Sequence, residues 1–372
     1  MNFETYPFEK LNNLLKDIKP NENYEPLSLT IGEPQFQTPN FIQEALCNNS
    51  SLLNKYPKTA GEDKLKSALI QFVKNRFDIQ LTQNQIIPTF GTREVLFNFP
   101  QFFLHDKKEP TMAFTNPFYQ IYEGSAIASR AKIVHINLTK ENSFKGDIDH
   151  KKLKNCDLVI INFPNNPTSA TLSLDELCIW AKMAKEYNFV LINDECYSEI
   201  YTKDKPPSLL EASKKISNEK FENILVLNSI SKRSSAPGLR SGFIAGDEKI
   251  LKSYLRYRTY VGCASPLPLQ YAASVAWSDE YHVEVTRDKY RKNFELAKEI
   301  LGIKIPEATF YIWLEVSNDL KFTKELYREK NLKVLPGSFL SRYHIGNSYV
   351  RIALVENEAK TKEALLRIKD LY

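Results

Sequence analysis

Seven short apolar runs punctuate the chain between residues 86 and 245. They are Ile86-Ile87, Thr111-Met112-Ala113-Phe114, Lys132-Ile133-Val134-His135-Ile136, Leu158-Val159-Ile160-Ile161, Phe189-Val190-Leu191-Ile192, Ile224-Leu225-Val226-Leu227 and Phe243-Ile244-Ala245. Most are continuous rather than alternating, the pattern of strands buried on both faces. Helical patterns lie between several of them. One is Glu94-Val95-Leu96-Phe97; another runs from Leu177 to Tyr187 behind a Ser173 cap and a Glu176 capping box. Such alternation predicts an α/β fold around a mostly parallel sheet with right-handed crossovers. The link from Asn228 to Gly242 has no helical pattern, so the last strand is expected to run antiparallel to its neighbour.

Past about residue 265 the pattern changes. Tyr290, Phe294, Ala297 and Leu301 are spaced for one helix face. Phe310 to Leu314 and Tyr349 to Leu354 read as strands, and Ala364, Leu365, Ile368 and Leu371 as a closing helix. Near the start, Phe8, Leu11, Leu14 and Leu15 predict a short amphipathic helix. These patterns predict a large domain over residues 45–265 and a smaller α+β domain formed by residues 1–44 and 266–372.

The 372 residues carry a net charge of +5, with lysines spread along the chain rather than massed in one arm. That favours anionic small molecules over nucleic acid, which would demand clustering. Five cysteines, far apart and odd in number, read as buried thiols in a reducing compartment. The five histidines are scattered, so no metal site is expected. The N-terminus shows no basic region followed by an apolar core, and no apolar run approaches the ~20 residues of a membrane span. A cytoplasmic protein without membrane contact is expected.

The densest chemistry lies between the sixth and seventh runs, in Asn228-Ser229-Ile230-Ser231-Lys232-Arg233 and onward to Arg240. Loops leaving a buried strand are where open α/β sheets hold ligands. A lysine there is a candidate nucleophile toward an aldehyde carbon once its pKa falls. From a reference near 10.4 it must drop by ~3 units, a cost of roughly 4 kcal/mol, to be mostly neutral at pH 7. Arg233 and Arg240 are expected to help by like-charge repulsion, and can bind a phosphate. Taken alone, Ser-x-Ser-Lys also suits a basic surface loop.

The stretch does not stand alone. SKRSSAPGLRSGF (231–243), with GTRE (91–94), NPFYQIYEG (116–124), NFPNNPT (162–168) and DECYSEIY (194–201), resembles the class I/II aminotransferases of fold type I. Those enzymes bind pyridoxal 5'-phosphate (PLP). In motif form the chain is most similar to the bacterial N-succinyl-diaminopimelate aminotransferases. The matches keep family order from Gly32 to Arg351. The resemblance implies a mostly parallel seven-stranded sheet in a large PLP-binding domain, plus a smaller α+β domain.

It also implies roles. Lys232 would tether the cofactor aldehyde and then move the substrate Cα proton. Asp194 would keep the pyridine nitrogen protonated, as a buried carboxylate does. Tyr197 and Asn166 would contact the phenolic oxygen, with Asn166 also beside the substrate. Thr92 and Arg93, at a helix start, would offer backbone N–H groups to the phosphate, with Ser229 and Arg240 opposite. Tyr119 would stack on the ring. Tyr56 would reach the phosphate of the neighbouring subunit, making the site the property of a homodimer. Gly32 would lie against the substrate α-carboxylate and Arg351 would hold it. Each residue has a plainer alternative: a cap for Asp194, an Asn-Pro turn for Asn166, an edge-strand surface position for Arg351. Ser169 replaces the family's loop glycine, where positive φ is costly for serine.

The expected function is PLP-dependent transfer of an amino group between an amino acid, glutamate, and a 2-oxo acid. The motif forms favour N-succinyl-2-amino-6-oxopimelate, in lysine and diaminopimelate synthesis. Alternatives are an aspartate or aromatic aminotransferase, a C–S lyase, and a PLP-fold sensor without turnover. Arg256 and Arg258 are candidates for a second substrate carboxylate on charge alone. Neither G-x-G-x-x-G nor G-x-x-x-x-G-K-[ST] occurs, which disfavours nucleotide cofactors.

Overall fold

A computed structural model describes Met1 and residues 3–372. Its strands in chain order are β1 (Leu27–Ser28), β2 (Ile86–Thr89), β3 (Thr111–Asn116), β4 (Lys132–Asn137), β5 (Leu158–Ile161), β6 (Val190–Asp194), β7 (Ile224–Ser229), β8 (Gly242–Gly246), β9 (Tyr311–Glu315), β10 (Leu332–Lys333), β11 (Leu335–Pro336) and β12 (Tyr349–Ala353). The seven apolar runs form one sheet of order β2-β8-β7-β6-β5-β3-β4. Strands β3 to β7 pair in parallel. β8 runs antiparallel to both β7 and β2, as the helix-free link before it predicts. Two antiparallel steps restore direction, so β2 points the same way as the parallel five.

β5, β6 and β7 are buried along their whole length, which explains why their sequences do not alternate. Helices cover both faces. On one, Leu69, Phe72, Trp180, Ala273 and Trp277 pack together; on the other, Val95, Phe99, Tyr122 and Tyr254. Each large apolar side chain so buried contributes roughly 1.5–3 kcal/mol relative to exposure. The helix Leu174–Tyr187 starts at the Ser173–Glu176 capping box. The helices Asn40–Asn48 and Leu267–Ser278 pack on each other and contribute Ile42, Ala272, Ala276 and Trp277 to this large core.

A second sheet has order β11-β12-β9, all antiparallel. Tyr290, Phe294 and Ala297 form one buried face of the helix Tyr281–Leu301, and the helix Glu358–Lys369 buries Ala364, Leu365 and Ile368. The N-terminal residues join this layer: β1 pairs with β10, and Leu11 and Leu15 pack with Leu335 and Leu340. Among the described residues no helix is long and apolar enough to cross a membrane.

Candidate active site

β3 and β5 are neighbours, yet the chain leaves β3 for β4 on the far side. That reversal of strand order opens a crevice beyond the carboxyl ends of the strands, where ligands bind in open α/β sheets. There β3 ends before Tyr119, β5 before Asn166, β6 at Asp194 and β7 before Lys232. Register brings in the rest. Ser229 lies opposite Gly242, and Gly242 opposite Thr89. Arg240, Ser229 and Thr92 are therefore gathered at one edge although they come from three segments. A cavity of about 870 Å3 occupies this crevice; Gly32, Thr92, Arg93, Tyr119, Asn166, Asp194, Tyr197, Ser229, Lys232, Arg240 and Arg351 line it, whereas Tyr56, Arg233, Arg256 and Arg258 do not. Tyr56 is fully exposed elsewhere.

Lys232 sits in the single-turn helix Ile230–Arg233, capped by the Ser229 hydroxyl, which accepts from the Ser231 N–H. Its amine donates to the Gly32 carbonyl. Burial pulls its pKa down to about 8; Arg351 and Arg240 push the same way, while Cys196 and Glu33 oppose. At pH 7 that leaves roughly one amine in ten neutral. Arg233 does not contribute, contrary to expectation. It is buried on the opposite side, stacked over Phe72 and Trp277 and bonded to Glu280 at 2.7 Å.

Asp194 is buried and accepts from the Tyr122 hydroxyl at 2.8 Å and the Cys196 N–H at 3.4 Å. Burial raises its pKa, and Cys196 and Tyr122 restrain that rise. Among the described residues no basic side chain forms an ion pair with it. A buried carboxylate without a cation is costly, and a protonated ring nitrogen is its complement. Asn162 ties the neighbouring loop in place: its amide donates to the Asp194 carbonyl at 2.7 Å and its oxygen accepts from the Asn166 N–H at 2.8 Å. Tyr197, also buried, has its hydroxyl 3.0 Å from that of Tyr311.

At the anion-binding edge, Gly91 begins the helix Thr92–Phe103 with φ of 74°. A side chain at Gly91 would be strained at this positive φ and would displace the Arg240 guanidinium, 2.3 Å from the Cβ position. The free N–H groups of that first turn, the hydroxyls of Ser229 and Ser231 (2.9 Å apart) and Arg240 form a donor set suited to a phosphate. Glu94 does more than favour the helix dipole. It accepts from the Phe90 N–H at 3.2 Å and pairs with the wholly buried Arg258 at 3.0 Å. Arg258 is therefore structural and not open to a second carboxylate. Arg256 is exposed and does not line the cavity.

Arg351 lies on the middle strand of the small sheet, opposite Trp313 and Leu335, and is buried. The edge-strand alternative fails. Its Nη1 donates to Asn166 Oδ1 at 2.8 Å and its Nη2 to the Thr30 carbonyl at 2.6 Å, while Nε is buried without a partner. The guanidinium lies 4.4 Å over the Tyr311 ring. Tyr119 accepts from Arg93 Nε at 2.6 Å and packs edge-on against Tyr122. Ser169 does adopt positive φ, 62°, and its hydroxyl is held by Thr309 at 2.6 Å and the Tyr311 carbonyl at 2.9 Å.

The cavity residues that sequence reasoning did not assign include Tyr122, Asn162, Ser231 and Tyr311. The first three sit inside the quoted motifs and were legible as spacing. Tyr311 read only as part of a strand. Among the described residues no cluster of metal-ligating side chains occurs.

Residues 24–368 match the family model described as aminotransferase class I and II. The chain is 31% identical to the LL-diaminopimelate aminotransferase of Aquifex aeolicus, over 96% of this chain and 94% of that protein. It is 29% identical to the aspartate aminotransferase of Pyrococcus horikoshii, over 92% and 90%. Among solved structures it superposes on the aminotransferase AspB of Helicobacter pylori with a TM-score of 0.97 at 50% identity, covering 100% and 99% of the two chains.

Proposed function

This chain belongs to the class I and II aminotransferases, which depend on PLP, and on that premise we propose that its cavity transfers an amino group from glutamate to a dicarboxylic 2-oxo acid. One observation carries the reading. A single cavity contains a half-buried amine of lowered pKa on Lys232, a buried carboxylate without a cation on Asp194, and a buried unpartnered guanidinium N–H on Arg351.

When bound, PLP supplies an electrophilic carbon and a ring that stabilises negative charge. Lys232 would hold that carbon, and its amine, when free, would serve as the general base for the substrate Cα proton. A pKa about 8 places it close to working pH. Asp194 would face a positive ring nitrogen, and Tyr197 and Asn166 would orient the ring. Arg351, braced by Asn166 and Thr30, receives the α-carboxylate.

Arg93 supports a dicarboxylic donor. Its Nε is used by Tyr119, and its two terminal nitrogens have no partner among the described residues. With Lys232, Arg240 and Arg351 already assigned, it is the cation left for a second carboxylate. Motif form favours N-succinyl-2-amino-6-oxopimelate as acceptor. The names of the relatives favour a second reading, in which LL-diaminopimelate or aspartate is the amino acid used. Exposed Leu53, Tyr56, Tyr260 and Val261 suit burial against a second copy, as a homodimer sharing its sites would require. The cysteines are not all buried as expected, since Cys47 is exposed and Cys196 and Cys263 are half-buried, but all five are unpaired, which suits a reducing, cytoplasmic setting.

The test is to mix PLP-loaded protein with glutamate, record the visible spectrum, and then screen 2-oxo acids. Loss of the visible band and gain of the amine form support the reading, with recovery fastest for the preferred acceptor. An unchanged band rules out glutamate, and release of ammonia and pyruvate would mark a lyase instead.

A further inference from the structure

Tyr311 lines the cavity between Arg351 and Tyr197. It lies on β9 opposite Ala353, two residues from Arg351 on β12. Its ring lies beneath the Arg351 guanidinium. Its hydroxyl stands where a Cβ on Gly32 would be, 1.8 Å away, and 3.0 Å from the Tyr197 hydroxyl. Its backbone is fixed at both ends: the N–H donates to Thr309 Oγ1 at 3.0 Å and the carbonyl accepts from Ser169 Oγ at 2.9 Å. Tyr197 and Tyr311 are both buried.

We propose that Tyr311 is a positioning residue of the transamination site, acting through Tyr197 on the hydrogen bond received by the cofactor ring oxygen. This rests on the reading above that Tyr197 faces that oxygen. A phenol carries one O–H. Tyr197 therefore gives its proton to the ring oxygen only while accepting the proton of Tyr311. Either hydroxyl could donate in the pair taken alone; with the Tyr197 proton committed to the ring oxygen, Tyr311 becomes the donor and Tyr197 the relay. Hydrogen bonds in series polarise one another, most strongly in a buried site. Without the Tyr311 hydroxyl, Tyr197 donates more weakly, and the ring oxygen holds its own proton more tightly.

The experiment uses Tyr311→Phe, Tyr197→Phe and the double variant. Phenylalanine keeps the ring under Arg351 and removes only the hydroxyl. Two quantities are read: the affinity of the apo protein for PLP, by quenching of intrinsic fluorescence, and the pH midpoint of the visible band after loading. Tyr311→Phe is expected to weaken PLP binding about 3- to 10-fold and to raise the midpoint by roughly half a unit to one unit. In the Tyr197→Phe background the same substitution is expected to move the midpoint no further. An unmoved midpoint in Tyr311→Phe, or an equal shift in both backgrounds, overturns the proposal. A wild-type protein that takes up no PLP overturns the underlying reading instead.

Discussion

Tyr122 and Asp194 stand 72 residues apart in the chain, and the hydroxyl of one donates to the carboxylate of the other across 2.8 Å in a fully buried pocket. The strand order explains the meeting: β3 and β6 flank β5, so the loop after β3 faces the end of β6. A hydrogen bond to a buried carboxylate favours its charged form.

Tyr122→Phe is accordingly predicted to lower kcat/KM for the amino donor about 10- to 100-fold, the range for a bond to a charged group. Asp194→Asn should cost considerably more, because it removes the charge itself. Steady-state kinetics on the loaded variants check this. Wild-type kinetics for Tyr122→Phe would show that Cys196 alone suffices to hold Asp194.

Lys232 yields a pH prediction. Burial lowers its pKa from 10.5 to about 8. Between those values the unfolded chain binds more protons than the folded one, so this residue makes stability rise with pH across that window. Its penalty is full below pH 8, at most about 3 kcal/mol, and absent above pH 10.5. Apo Lys232→Met should therefore be more stable than apo wild type at pH 7, with the gap closing by pH 10.5. Urea unfolding at a series of pH values measures it; a pH-independent gap would refute the assignment.

Arg258→Met is predicted to destabilise the fold by about 3–5 kcal/mol, because it strands the Glu94 carboxylate. The preference between dicarboxylic and monocarboxylic donors should not move. A lost preference with unchanged stability would return Arg258 to the substrate.

Ser169→Ala keeps the cost of positive φ and loses both hydroxyl bonds, to Thr309 and to the Tyr311 carbonyl. It should cost about 1–3 kcal/mol in chemical denaturation. A neutral substitution would show that the serine merely replaces the glycine without compensation.

Much of this architecture was legible in the residues. Continuous runs such as Leu158 to Ile161 mark strands covered on both faces, and the helix-free passage from Asn228 to Gly242 announces the antiparallel step. Lys232 was legible as a candidate because loops leaving a buried strand hold ligands, whereas Asp194 at its strand end reads first as a cap and only the motif around it suggests a role. What stayed hidden depends on direction rather than spacing. Arg233 and Arg240 look alike in sequence, yet one turn of helix points the first into the Phe72–Trp277 core and leaves the second at the cavity. Arg258 reads as a free charge until packing buries it on Glu94. Tyr311 reads as strand hydrophobe, and only the approach of the small sheet to Tyr197 and Gly32 gives its hydroxyl a purpose.

Under the proposed function, PLP is held covalently by the Lys232 amine. Reductive trapping of the loaded protein with borohydride, followed by peptide mass spectrometry, tests it most directly. The cofactor mass is predicted on Lys232 alone. Its appearance on another lysine, with Lys232 unmodified, would contradict the account.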